Sequence, residues 1–151
     1  MIQKGMHMFG KIFGKKVNAA RAEVKKLENR DLMEAMVGGT LLIAFADGDC
    51  EESELQKIDQ LLSSHESLQH FGSEVSSTMM AFTDRLKAGY RVGRMEILRE
   101  IQDVKGDQRE KEDVLLAMLT VAEADGEIEP EEEKELNAVA QALGLRLSDY
   151  A

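Results

Sequence analysis

The pair Asp47-Gly48 recurs 78 positions later as Asp125-Gly126, and the residues around the two pairs keep the same offset. Ala44, Ala46, Glu51 and Glu54 answer to Ala122, Ala124, Glu129 and Glu132, while Asp49 stands opposite Glu127 and Ile58 opposite Leu136. Before the first pair, Met33, Met36, Val37, Leu41 and Ala44 repeat at the spacing of one helix face; Val114, Leu115, Met118, Val121 and Ala122 do so before the second. Leu55, Ile58 and Leu62 follow the first loop, and Leu136, Val139, Ala140 and Leu143 the second. Each repeat, about 31–64 and 109–144, reads as helix, acidic loop, helix, with one apolar face to cover. Two such pseudo-symmetric hairpins packed face to face make a core.

Between the repeats, Val75, Met79, Phe82 and Leu86 predict a helix over 74–90, with Ser73 as its N-cap. Met95, Leu98 and Ile101 predict another over roughly 91–104, and Lys105–Gln108 ("KGDQ") interrupts the chain before the second repeat. With an N-terminal helix, the spacing predicts about seven helices in an all-α bundle and no strand. The 151 residues suit one domain, here 17–151 behind a basic arm at 1–16, and they include a single proline, Pro130.

Composition narrows the function classes. The lone Cys50 excludes an intrachain disulfide and suits a reducing compartment. No apolar run reaches the roughly 18–20 residues of a membrane span, and the opening lacks the continuous apolar core of a signal peptide, so a cytoplasmic location is expected. Residues 1–30 carry a net charge of +6 and the remainder −16. So acidic a body repels phosphate backbones, which argues against nucleic-acid binding.

Helix-end chemistry explains part of each acidic loop. Gly48 and Gly126 suit the left-handed residue that ends a helix. Pro130 suits the first helical position, which puts Glu129 at the N-cap and Glu132 at the third position, with Glu51 and Glu54 at the same posts by the repeat offset. Asp47 and Asp125 are less easily explained: each follows a helix whose C-terminal dipole disfavours a carboxylate by ~0.3–1 kcal/mol. Five carboxylates occupy 47–54 and six occupy 125–133. A hard cation such as Ca²⁺, Mg²⁺ or Mn²⁺ would relieve their repulsion, whereas zinc lacks its usual ligands there. Neither loop is an EF-hand, because the sixth position from Asp47 is Glu52 and that from Asp125 is Pro130, where glycine is needed. A solvated acidic turn is the competing reading.

The paired "ADG-x5-E" motifs, Ala46–Glu54 and Ala124–Glu132, together with the opening "MFGKIFGKKV" and the spacer "FGSEVSSTMMAFTDRL", resemble the tellurite-resistance protein TerB family. That resemblance implies a helical bundle with pseudo-twofold repeats and an acidic cluster for divalent cations. Carried onto this chain, the cluster is Asp47, Asp49, Glu51 and Glu54 with Asp125, Glu127, Glu129 and Glu132. It also implies a role in chemical-stress or phage defence beside other tellurite-resistance proteins, including an integral membrane partner and calcium-binding partners. With no histidine, serine or lysine evidently placed as base or nucleophile near the loops, a non-enzymatic role is expected. The alternative is a metal-independent acidic module that recruits a basic protein.

The opening itself places Phe9, Phe13, Val17, Ala20, Val24 and Leu27 near heptad spacing, with Lys11, Lys15, Lys16, Arg21, Lys25 and Lys26 between them. It reads either as a first helix packed on the bundle or, for residues 1–16, as a segment lying on anionic lipid at the inner membrane face. His65 and His70 flank a turn and form a second, weaker metal candidate. Arg85, Lys87, Arg91 and Arg94 form a basic strip that either balances charge or docks an acidic partner.

Overall fold

The computed structural model describes residues 17–21, 29–124 and 126–151. The expectations for the opening 1–16 and for Asp125 lie outside the described residues. Every regular element among those described is helical, and none is a strand. After a short helical stretch at 17–21, α1 occupies 29–44. Next come α2 (Glu52–Ser63), a 3₁₀ turn (Gln69–Phe71), α3 (Ser73–Ala88), α4 (Tyr90–Gln102), α5 (Gln108–Glu123), α6 (Pro130–Ala142) and a closing 3₁₀ turn (Leu147–Asp149). The all-α bundle expected from the spacing is what forms.

Helix α1 is the axis of the core. Leu32, Met33, Met36, Val37, Leu41, Leu42 and Ile43 are all buried, as are Ala35, Ala44 and Phe45, so this helix is covered on nearly every side rather than along one stripe. Two adjacent glycines allow that enclosure. A Cβ at Gly38 would stand 2.6 Å from Ile97 Cγ2 of α4, and one at Gly39 would stand 2.8 Å from Met118 Sδ of α5. Neighbouring helices thus approach the α1 backbone more closely than any side chain would permit. Thr40 is fully buried, and its hydroxyl donates to the Met36 and Val37 carbonyls at 2.7 and 3.0 Å, so no polar atom there is stranded.

The remaining helices pack around this axis, α3 on α4, α6 on both α4 and α5, and α2 on α3. Two local expectations need correction. Ser73 is the first helical residue of α3, not its N-cap: Gly72, at φ 55°, makes the turn and holds the cap position without a side chain. Met95 is 53% exposed, whereas Gly93, Ile97 and Ile101 form the buried side of α4. The cause is Gly93, whose missing side chain lets α4 sit against the Arg85 carbonyl of α3 and turns the buried face onto the 93/97/101 row.

One ion pair ties α4 to α6. Arg94 Nε donates to both carboxylate oxygens of Glu135, at 3.0 and 2.9 Å, and Glu135 is only 4% exposed. Beside it, burial and then the Glu135 charge push the Tyr90 phenol above its ordinary pKa.

Candidate functional site

The two acidic loops, far apart in the chain, line one cleft of about 430 Å³. Its walls carry Asp47, Glu51 and Glu54 from the first loop and the start of α2, facing Glu127, Glu129 and Glu132 from the second loop and α6. Apolar side chains from α1, α2 and α5 form the floor: Ile43, Ala44, Ile58, Leu61 and Val121. Lys57 is the one cation among the described lining residues.

Local chemistry accounts for how each carboxylate is held. Gly48 and Gly126 take positive φ, 89° and 113°, but each stands beyond the helix-ending position expected of it: α1 stops at 44 and the C-cap of α5 is Ala124, so the glycines turn the loop and not the helix end. Asp47 then closes an Asx turn, its Oδ1 accepting from the Asp49 amide at 3.0 Å. That bond gives Asp47 a structural role that its place after a helix C-terminus had seemed to deny it. Glu51 holds the N-cap position of α2, yet its side chain makes no cap hydrogen bond. In the second loop the helix start carries a capping box. Pro130 is the first residue of α6, and Glu132 Oε1 accepts from the Glu129 amide at 3.0 Å, the reach-back contact of a capping box.

Of the eight carboxylates singled out from the sequence, six therefore share the cleft. Asp49 does not line it, and Asp125 is outside the described residues. The donor set is all oxygen, which suits a hard cation in kind. Among the described residues, however, no three His, Cys, Asp or Glu side chains stand close enough to hold an ion. The chemistry fits a divalent cation; the spacing of the described side chains does not enclose one.

Sequence reasoning missed Lys57, Ser53, Thr120 and the apolar floor of the cleft. The signal for Lys57 was present, because three residues separate it from Glu54 and put both on one face of α2. Thr120 could not be placed without knowing which side of α5 meets α2; its hydroxyl donates to the Leu116 carbonyl at 2.8 Å.

Cys50 senses the same field. Burial, followed by the charge of Glu54, pushes its thiol up to about 11, with Lys87 opposing and Asp47 adding to the shift.

The other candidates serve the fold. His65 Nδ1 accepts from the Ser67 amide at 3.2 Å within a turn, and the His70 ring lies 4.2 Å from that of Phe71. Two of the four cations of the basic strip meet acidic neighbours: Arg85 pairs with Glu100 at 3.4 Å and Glu96 at 4.0 Å, and Arg94 with Glu135. A second acidic group surrounds Arg85. There burial, then Glu100 and Asp31, raise the Glu34 carboxyl above its usual range.

No helix among the described residues is long and apolar enough to cross a membrane. No curated protein and no solved structure matches the chain. The family model for tellurite resistance protein TerB matches residues 33–151, which include both acidic loops and every helix from α2 onward and leave the basic opening outside the match. On that match, over most of its length, the chain belongs to the TerB family.

Proposed function

We propose that this chain is a non-catalytic, tellurite-resistance-type stress protein that captures positively charged ligands, a divalent cation first, in the cleft between its two acidic loops. The observation that carries this reading is the meeting of the loops: six carboxylates from two halves of the chain face one space, with one lysine among them. A bound cation would offset their mutual repulsion. Asp47, Asp49, Glu51 and Glu54 with Asp125, Glu127, Glu129 and Glu132 are the residues that would supply oxygen ligands to Ca²⁺, Mg²⁺ or Mn²⁺. Binding there would couple to assembly with other tellurite-resistance proteins, including an integral membrane partner, at the cytoplasmic face of the inner membrane.

Calorimetric titration with the three ions, on wild type and on Asp47→Asn/Asp125→Asn, tests the ion. Asparagine at 47 keeps an oxygen for the Asx turn while removing the charge, so lost binding reports on electrostatics rather than on a broken loop. Heat from wild type that weakens at least tenfold in the double variant (~1.4 kcal/mol) is the expected result. Silence from all three ions in both proteins removes the metal.

The apolar floor and the spacing of the carboxylates favour a second reading, in which the acidic cleft takes a basic protein segment without metal. Salt-sensitive capture of a partner that persists in chelator distinguishes it.

A further inference from the structure

A cleft of about 430 Å³ is far larger than a lone ion needs, since one water molecule takes about 30 Å³ of liquid volume. Its floor is apolar and its walls are acidic, so the occupant that fits both surfaces is an amphipathic, basic chain segment. One such segment belongs to this chain. Residues 1–16, "MIQKGMHMFGKIFGKK", carry Lys4, Lys11, Lys15 and Lys16 with no Asp or Glu, and intersperse them with Ile2, Met6, Phe9, Ile12 and Phe13. The body, by contrast, holds an excess of carboxylates that its own lysines and arginines do not balance.

Reach permits the contact. The cleft lies at the C-terminal end of α1, about 22 Å along the helix axis from residue 29 at 1.5 Å per residue. Residues 17–21 are helical and cover about 8 Å, and the seven residues 22–28 add about 10 Å if helical or about 24 Å if extended. A chain that doubles back before residue 29 brings Lys16 to the level of the cleft with 22–28 extended, about 31 Å in all, and falls short of it at about 18 Å with 22–28 helical.

We propose that residues 1–16 dock in this chain's own acidic cleft, their phenylalanines against the apolar floor and their lysines against the two loops, and that cations compete with them for the carboxylates. The inference rests on the same cleft as the proposed function but not on its ion. Docking of this kind makes the cleft self-occupied at rest, and it gives the opening segment a place to leave when a competing cation arrives.

A nitroxide label on His7→Cys, in full-length Cys50→Ser protein, tests the contact through line broadening of backbone amides. Loss of most of the signal at Ala44, Asp47, Ile58 and Val121 in low salt is expected. Those signals return in Lys11→Gln/Lys15→Gln/Lys16→Gln protein and in ~1 M NaCl, where the Debye length is ~3 Å. Unchanged cleft amides overturn the proposal. So does broadening found only between labelled and isotope-enriched chains in a mixture, which assigns the cleft to a second copy. A segment that spares the cleft and is immobilised only on phosphatidylglycerol vesicles overturns it in favour of lipid.

In the triple variant, cation affinity rises roughly tenfold, since each of three exposed ion pairs is worth about a factor of two. Equal affinity with and without the lysines overturns the competition. No heat with any ion, beside broadened cleft amides, removes the ion and leaves the docking standing; heat beside untouched cleft amides does the reverse.

Discussion

Glu132 and Glu135 sit three residues apart on α6 and live in opposite electrostatic regimes. Glu135 points into the α4 contact, 4% exposed, and meets the Arg94 guanidinium with both oxygens. Glu132 lines the cleft with five other carboxylates and reaches back to the Glu129 amide. At Glu135, which folding buries, the chain supplies a matching arginine; where the carboxylate faces the cleft, acid outnumbers base among the described lining residues six to one. Three residues along one helix thus separate a carboxylate neutralised in the packing from one left among other carboxylates at a cleft.

The sharpest way to break that contrast is at Glu135. Glu135→Ala strands the guanidinium of Arg94 in a mostly buried site and should cost about 3 kcal/mol in urea unfolding. Combining Arg94→Met with Glu135→Leu should recover much of it, because an apolar pair carries no desolvation cost. If the single variant is as stable as wild type, the α4–α6 pair is not the buried contact described.

On the cleft side, the raised Cys50 thiol offers a chemical reporter. With its pKa pushed up to about 11 from 9.0, the folded protein holds about a hundredfold less thiolate at pH 8 than the unfolded chain. Alkylation by iodoacetamide should therefore be slow until the protein is unfolded, and faster in folded Glu54→Gln. Because the folded pKa lies above the unfolded one, the associated stability is complete below about pH 9 and is lost as pH rises through about 11. Equal alkylation rates in folded and unfolded protein at pH 8 would show that the thiol is not held up by burial and the acidic field together, and an unchanged rate in folded Glu54→Gln would remove the field.

A smaller effect separates two positions at the helix heads, the third residue of α6 and the N-cap of α2. Glu132→Ala removes the reach-back bond at the start of α6 and should lower stability by about 1 kcal/mol. Glu51→Ala, at an N-cap whose side chain makes no cap bond, should change it by less than ~0.5 kcal/mol. Thermal unfolding of the two variants side by side reads the difference; equal losses would mean that the reach-back bond of Glu132 adds nothing to stability.

Smallest of all, Asp47→Asn should shift stability by only a few tenths of a kcal/mol, because the amide oxygen can still close the Asx turn. Near-neutral stability with altered ligand capture would separate the charge of Asp47 from its turn. A large loss of stability would place the carboxylate itself in the fold.

Much of the architecture was legible before any coordinates. Helical spacing on both sides of each Asp-Gly pair, the break at Lys105–Gln108, and Pro130 at the first position of α6 all depend on neighbours within one or two turns, so local rules located them. The same rules placed Glu129 and Glu132 at the head of α6. They failed at Met95 and Ile97 because the buried face of α4 depends on how closely Gly93 approaches α3, and close approach is a property of two helices at once. They also read α1 as a one-sided stripe, since nothing in its own periodicity says that helices gather on more than one side of Gly38 and Gly39.

The sequence by itself determined the helices, the head of α6 and the surplus of negative charge in two turns, because propensity, capping and charge act over short distances along a chain. Only the tertiary structure decided that the two turns face one cleft over an apolar floor, that Asp49 stands aside, and that Arg94 neutralises Glu135 rather than serving an exposed basic strip. Those outcomes depend on which helix faces meet, and packing of the whole core sets that choice.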